Sequence, residues 1–352
     1  MGRSGALRAQ LYGQALRANF LSIIATSVQR RLKHYGCAAR SDGQLNVSDT
    51  LPIMSRTARL TPLLLLCLLI TYVVWGTTYF AISVALRAMP PFMLMASRFA
   101  VAGLCLGLFV LVRGRTRASW RQVRNGSMLG ALMLLGGMGG IAVAEQTISS
   151  GATTVMIAAM PIVAIAWQRL FGIRPRGHEL AAIALGAVGV LVLTSGVEFR
   201  ASGMGAGALL LAISCWSLGT QLSRSLDLPP PALAVTIEML AGSVMLALAS
   251  ALSGESLAAV PDGAPLAAWL YLVTMGSLLA FSAYMYLASR AAPVLATSYV
   301  YVNPPIALLV GAAVGGEQIV PQTLGAIALI LCALAVLGWG TWRQPVGTAK
   351  DT

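Results

Sequence analysis

Residues 62–86 read PLLLLCLLITYVVWGTTYFAISVAL. The stretch holds no charged side chain. At about 1.5 Å rise per residue it is long enough to cross a bilayer core of roughly 30 Å. Backbone groups in lipid have no water to bond, so such a segment must be a helix that satisfies them internally. Runs of the same character follow at 91–112, 126–147, 151–171, 179–195, 204–222, 231–252, 266–287, 292–314 and 321–340. The sequence therefore predicts an all-α polytopic membrane protein with ten transmembrane helices. The composition points the same way: 57% of the 352 residues are hydrophobic and 10% are charged, against about 25% charged in a soluble domain. An ordinary cytoplasmic enzyme, a secreted disulfide scaffold and a disordered chain are excluded on that ground.

The net charge of +13 would suggest nucleic acid in a soluble protein. Here the basic residues fall in loops and tails, so no nucleic-acid partner is expected and the charge is read as an orientation signal. Arg113, Arg115, Arg117, Arg121 and Arg124 lie between the second and third runs, and Arg169, Arg174 and Arg176 around the next loop but one. With Arg56, Arg59, Arg224, Arg290, Arg343 and Lys350 they fall on one side of a ten-helix topology. The other side has only Arg87 and Arg200, beside Glu198, Glu255, Asp262 and Glu317. The positive-inside bias puts both termini in the cytoplasm.

Residues 1–60 differ from the rest, with nine Lys/Arg against Asp42 and Asp49. The apolar patch Phe20–Ala25 is too short to span, and no cleavage pattern follows it, so a secretory signal is not expected. The segment reads as a basic, disordered cytoplasmic tail, or as residues upstream of a start at Met54. A transit peptide is the other reading of an Arg-rich, acid-poor stretch. Residues 342–352 form a second tail. The five cysteines are scattered without a CxxC, and His34 and His178 lie outside the apolar runs. Neither a metal nor a cofactor is expected.

The ten runs divide into two halves, 61–196 and 197–341. Trp75 corresponds to Trp216 at an offset of 141, and Pro91–Arg98 to Pro231–Glu238 at 140. Residues 151–196 map onto 294–339 without a gap at 143, pairing Thr154 with Thr297, Pro161 with Pro304 and Gly172 with Gly315. Five helices is an odd number, so the second half enters the membrane from the opposite side. Such inverted-topology repeats characterise secondary transporters and place the substrate site near the midplane, between the repeats.

A charge inside an apolar run costs about 2.5–3.5 kcal/mol at a helix centre on insertion scales, so the few present are candidates for function. Arg98 lies about 10 Å deep from the outer end of its run. Glu145 sits near the outer end of the third run, and Glu238 about seven residues into the seventh. Arg290 follows the eighth. Arg98 with Glu145, and Glu238 with Arg290, are candidate gate or vestibule pairs. Against this, Glu145 and Arg290 also read as interfacial residues and Arg98 as a snorkelling one. Trp75, Tyr79, Trp216, Tyr301 and Asn303, with Arg98 and Glu238, are candidates to line the substrate pathway, and helix packing is the competing role for the uncharged ones. Pro161, Pro304 and Pro305 break helix hydrogen bonding and free carbonyls. The glycine run Gly136-Gly137-Met138-Gly139-Gly140 lies inside an apolar run and lacks a following Lys-Ser/Thr, so it serves close packing or a pathway rather than phosphate.

The ordered set of Val74–Phe80 (VWGTTYF), Pro91–Ala100 (PFMLMASRFA), Ala234–Gly242 (AVTIEMLAG), Ala283–Leu287 (AYMYL), Leu295–Pro304 (LATSYVYVNP) and Gly315-Gly316-Glu317 resembles the EamA family of the drug/metabolite transporter superfamily. The Ala-Glu-Gln at 144–146 and Glu-Met-Leu at 238–240 are most similar to its YedA-type branch. The likeness spans about residues 60–341. It implies a bacterial inner-membrane carrier built of two EamA repeats, exporting small metabolites or amino acid-like compounds. One departure is Gly172-Ile173-Arg174, where the family has Gly-Glu after the fourth helix, so Glu317 has no acidic counterpart. The leading expectation is a secondary transporter working by alternating access, with a small-molecule substrate and the lipid bilayer as its partners. Proton coupling, if present, would fall to Glu145 or Glu238. A membrane-embedded channel or sensor of the same fold is the alternative. An intramembrane enzyme would need a convergent nucleophile–base or metal cluster, which the runs do not offer.

Overall fold

The structure is a computed structural model that describes residues 61–114, 117–170, 177–196, 202–223, 225–257, 260–290 and 298–342. The expected basic tail 1–60, the start at Met54 and the tail beyond residue 342 lie outside the described residues. So does the side chain of Arg290.

All regular structure among the described residues is helical. Helix α1 is Pro62–Ala85 and α2 is Pro91–Val112. Helix α3 runs as Trp120–Leu129, a π-helical Gly130–Gly139 and Gly140–Ala144. Helix α4 is in two pieces, Ser150–Ile157 and Met160–Leu170. Then come α5 (Gly177–Thr194), α6 (Gly203–Ser223) and α7 (Pro231–Leu252). Helix α8 again has three parts, Gly263–Tyr271, a π-helical Leu272–Leu279 and Ala280–Arg290. Helices α9 (Tyr299–Ala313) and α10 (Pro321–Trp342) close the chain. Eight of these, α1 to α8, are long and apolar enough to cross a membrane, while the apolar stretches Tyr299–Ala313 and Pro321–Val336 are shorter.

The helix starts follow from local chemistry. The Thr61 hydroxyl accepts from the Leu64 amide at 3.3 Å, with Pro62 at the first helical position, where its missing N–H costs nothing. Ser119 and Gln122 form a reciprocal capping box that starts α3 well before its apolar run. That is why α3 begins at Trp120 although the lipid-facing stretch begins near residue 126.

Lipid gives helices little hydrophobic reason to associate, so close packing by small residues does much of the work. Helix α3 lies on α7 at Gly130, where a Cβ would fall 2.6 Å from the Glu238 carbonyl oxygen. Helix α2 packs on α7, α5 on α10 and α4 on α9. Helix α1 packs on α8 and α9. Helix α6 reaches the corresponding α3, with Cys215 against Gly136, and α4, where the Trp167 indole donates to the Ser214 carbonyl at 3.2 Å. Exchanging α1–α5 with α6–α10 turns the α1–α8 and α1–α9 contacts into α6–α3 and α6–α4. The two π segments also fall at corresponding places in α3 and α8.

These helices belong to one compact unit, Ala58–Gln221 with Leu228–Thr352. The stretch Leu222–Asp227 groups apart as the end of α6, where the Ser225 and Leu226 amides both donate to the Leu222 carbonyl.

Candidate functional site

Two kinds of helix irregularity meet at one cavity. Leu134 and Met138 reach it from the π segment of α3, and Gly276 and Ser277 from that of α8. A π turn widens the helix and shifts its hydrogen bonding to i→i+5, a device concentrated at functional sites. The third contributor is the interruption in α4. Its first piece caps at Ala158, the second restarts at Met160 with Pro161 in its first turn, and Ile157, Ala158 and Met160 all line the cavity. Pro161 belongs in that first turn because its missing amide needs no partner there.

Of the residues expected to line a pathway, Trp75, Tyr79, Arg98, Trp216 and Asn303 stand at this cavity, together with Pro304. Tyr301, Glu238, Pro161 and Pro305 do not line it. Glu238 is buried on α7, with its backbone carbonyl against Gly130. Tyr301 is half-buried among apolar neighbours. Pro304 and Pro305 lie within α9 without ending it. With its amide turned to satisfy both ends, Asn303 donates to the Tyr299 carbonyl at 3.1 Å and to the Tyr72 carbonyl at 3.3 Å, tying α9 to α1.

The indole of Trp75 donates to the Gly276 carbonyl at 3.2 Å, in the π segment of α8. Its ring is met by Tyr299 at 4.8 Å, Tyr284 at 5.2 Å and Phe281 at 6.0 Å between centroids, separations at which edge-on and tilted aromatic pairs attract. Trp216, its counterpart in α6, packs on Gly137 in the π segment of α3.

Arg98 is 3% exposed. Its Nε donates to the Ser277 hydroxyl at 2.9 Å, one terminal nitrogen faces the Met95 sulfur at 3.9 Å, and the group lies 4.9 Å from the centroid of the Phe99 ring. The expected direct pair with Glu145 is not made. Both Glu145 oxygens are buried and without a hydrogen-bond partner. The reason is position: Glu145 is the C-cap of α3, beyond the end of the helix, and opens on a second pocket with Arg87, Gln146, Ser149 and Glu317. Arg98 and Glu145 act on each other only across a distance.

Sequence reasoning missed Ser277, Thr78, Gly276 and Phe281 at the cavity. A serine in an apolar run carries no signal of its own, because Ser commonly returns its hydroxyl to the backbone one turn earlier, as Ser243 does to Leu240 here.

Comparison with known proteins adds to this geometry. One family model, the EamA-like transporter family, matches twice, over residues 62–195 and 203–339. The uncharacterized inner membrane transporter YedA of Escherichia coli (strain K12) is 38% identical over 275 residues, covering 78% of this chain and 90% of YedA. A chloroplastic WAT1-related protein of Arabidopsis thaliana is 25% identical over 281 residues, covering 75% of this chain and 67% of its own. A solved crystal structure at 21% identity shares the fold, with a TM-score of 0.56 over 80% of this chain and 98% of its own. A helical membrane chain that carries this domain twice, with a cavity among its packed helices, is a member of the EamA-like transporter family.

Proposed function

We propose that this membrane transporter is a secondary carrier that exports small metabolites or amino acid-like compounds by alternating access through the Trp75–Arg98 cavity. In this reading it has ten transmembrane helices in two inverted five-helix halves, and α9 and α10 complete the set. Both termini face the cytoplasm of a bacterial inner membrane. One observation carries the proposal: the cavity is bounded by irregular segments from both halves, the π turns of α3 and α8 and the interruption of α4. Irregular backbone at membrane depth is tolerated where it lines a cavity, and discontinuous helices at a repeat interface are where transporters bind substrate. The contacts of α1 with α8 and α9, matched by those of α6 with α3 and α4, support two equivalent halves. The surplus of arginine on one side supports the orientation. Proton coupling, if the cycle uses it, falls to Glu145 or Glu238, the two buried acids among the described residues.

Counterflow in proteoliposomes tests the proposal. A carrier gives saturable uptake that is accelerated by substrate on the opposite side. Uptake that neither saturates nor responds to trans substrate identifies a channel of the same fold and overturns alternating access.

A further inference from the structure

We infer that the cavity recognises its solute through a single carboxylate, received by Arg98. This rests on the transporter reading and adds the chemical class of what is carried.

Among the described residues, Arg98 is the one basic residue at the cavity, and no acidic residue lines it. A guanidinium has five N–H donors. Among the described residues, those of Arg98 meet a neutral hydroxyl, a thioether and a ring face. A cation that is 3% exposed with only neutral partners is costly, because desolvation is not offset by an opposite charge. The carboxylate that could have paired with it, Glu145, acts on Arg98 through space but hydrogen-bonds neither it nor any other described group. A buried charge retained at a ligand cavity without a protein counter-ion is completed by a ligand of opposite charge.

The geometry narrows the class. Ser277 holds Nε, which fixes the plane of the guanidinium, and one terminal nitrogen has only the Met95 sulfur at 3.9 Å, a weak acceptor that an incoming anion can replace. An Arg fork matches a carboxylate in two parallel bonds. One arginine balances one negative charge, which disfavours phosphate esters carrying close to two. The remaining lining is mostly apolar and aromatic, with Trp75, Phe281, Tyr299 and Trp216 among it, beside the neutral polar groups of Thr78, Tyr79, Thr154 and Asn303. The ligand is thus a monocarboxylate with an apolar or aromatic body.

The test uses the purified full-length chain in detergent and reads intrinsic fluorescence, since Trp75 and Trp216 both border the cavity. Three probes share one body and differ in the head group: 3-phenylpropionate, 3-phenylpropanol and 3-phenylpropylamine. The expected result is a saturable change with the acid at least about ten-fold tighter than with the alcohol or the amine, a difference of about 1.4 kcal/mol. Arg98→Gln abolishes the preference, and Ser277→Ala reduces it several-fold while the protein still elutes as a single species. The comparison among probes on the unaltered protein decides the matter even if Arg98→Gln does not fold. Equal affinity for the three heads, preference for the amine, or no saturable response to the acid overturns the inference. Counterflow of any other solute would still leave the transporter reading standing, so the two failures are separate.

Discussion

Glu317 and Ser150 are joined twice: Oε1 of Glu317 accepts from the Ser150 amide at 3.1 Å and from its hydroxyl at 2.8 Å. The other oxygen, Oε2, accepts from the Gly151 amide at 3.2 Å. A carboxylate from the loop after α9 thus caps the first turn of α4, where unsatisfied amides and the helix dipole favour an anion. Glu255, after α7, does the same for α2, with the Phe92 and Met93 amides at 3.0 and 2.8 Å. Both clamps join the second half to the first. Glu317→Gln and Glu255→Gln should each lower stability by about 1 kcal/mol through loss of the charge at the helix terminus, read as a fall in Tm in detergent. Unchanged Tm in both would show that the clamps hold nothing.

Glu145 gives the opposite expectation. Its carboxylate is buried with neither oxygen hydrogen-bonded, so its charge is a cost to the fold. Glu145→Gln should leave Tm unchanged or raise it under the conditions in which Glu317→Gln lowers it. A drop of several degrees would mean that Glu145 has a structural partner.

Packing of α3 on α7 turns on one backbone contact. A Cβ at Gly130 would lie 2.6 Å from the Glu238 carbonyl oxygen, and backbone cannot rotate aside. Gly130→Ala should cost about 1–3 kcal/mol as overpacking. Gly207→Ala, in α6 with nothing within 4 Å of the new atom, should be neutral. Thermal unfolding of the two variants side by side checks the contrast.

Trp75→Phe keeps an aromatic ring against Tyr299 and Tyr284 but removes the donor to the Gly276 carbonyl. Losing one such bond is worth about 0.5–1.5 kcal/mol. Thermal unfolding in detergent should therefore show a loss of stability of that size. An unaltered Tm would make the bond incidental to the fold.

The proposed orientation is checked by single cysteines in a background with the native cysteines replaced by alanine. A membrane-impermeant thiol reagent applied to intact cells should label Ser256→Cys, beside the Glu255 clamp, and not Ala118→Cys, in the arginine-rich loop. The reverse pattern would invert the topology.

Much of the architecture was legible before any coordinates. The run at 91–112 returns as α2 with the same bounds, and 62–86 differs from α1 by one residue. Where bounds moved, the cause is local. Helix α3 starts at Trp120 because the Ser119 cap and the polar turn after it are helical without being apolar. The run 151–171 reads as continuous, whereas α4 is interrupted after Ile157, since hydropathy does not register a break among alanines.

What the sequence determined by itself is the set of apolar helices, their grouping into two halves and the short list of charges within them. These are sums over neighbouring residues, and the bilayer enforces them one helix at a time. Only the tertiary structure decided which polar groups meet. Arg98 finds Ser277, 179 positions away, and misses Glu145. The π turns of α3 and α8 rotate the faces that follow them, and the crossing of packed helices sets which faces converge. No periodicity in the chain encodes either.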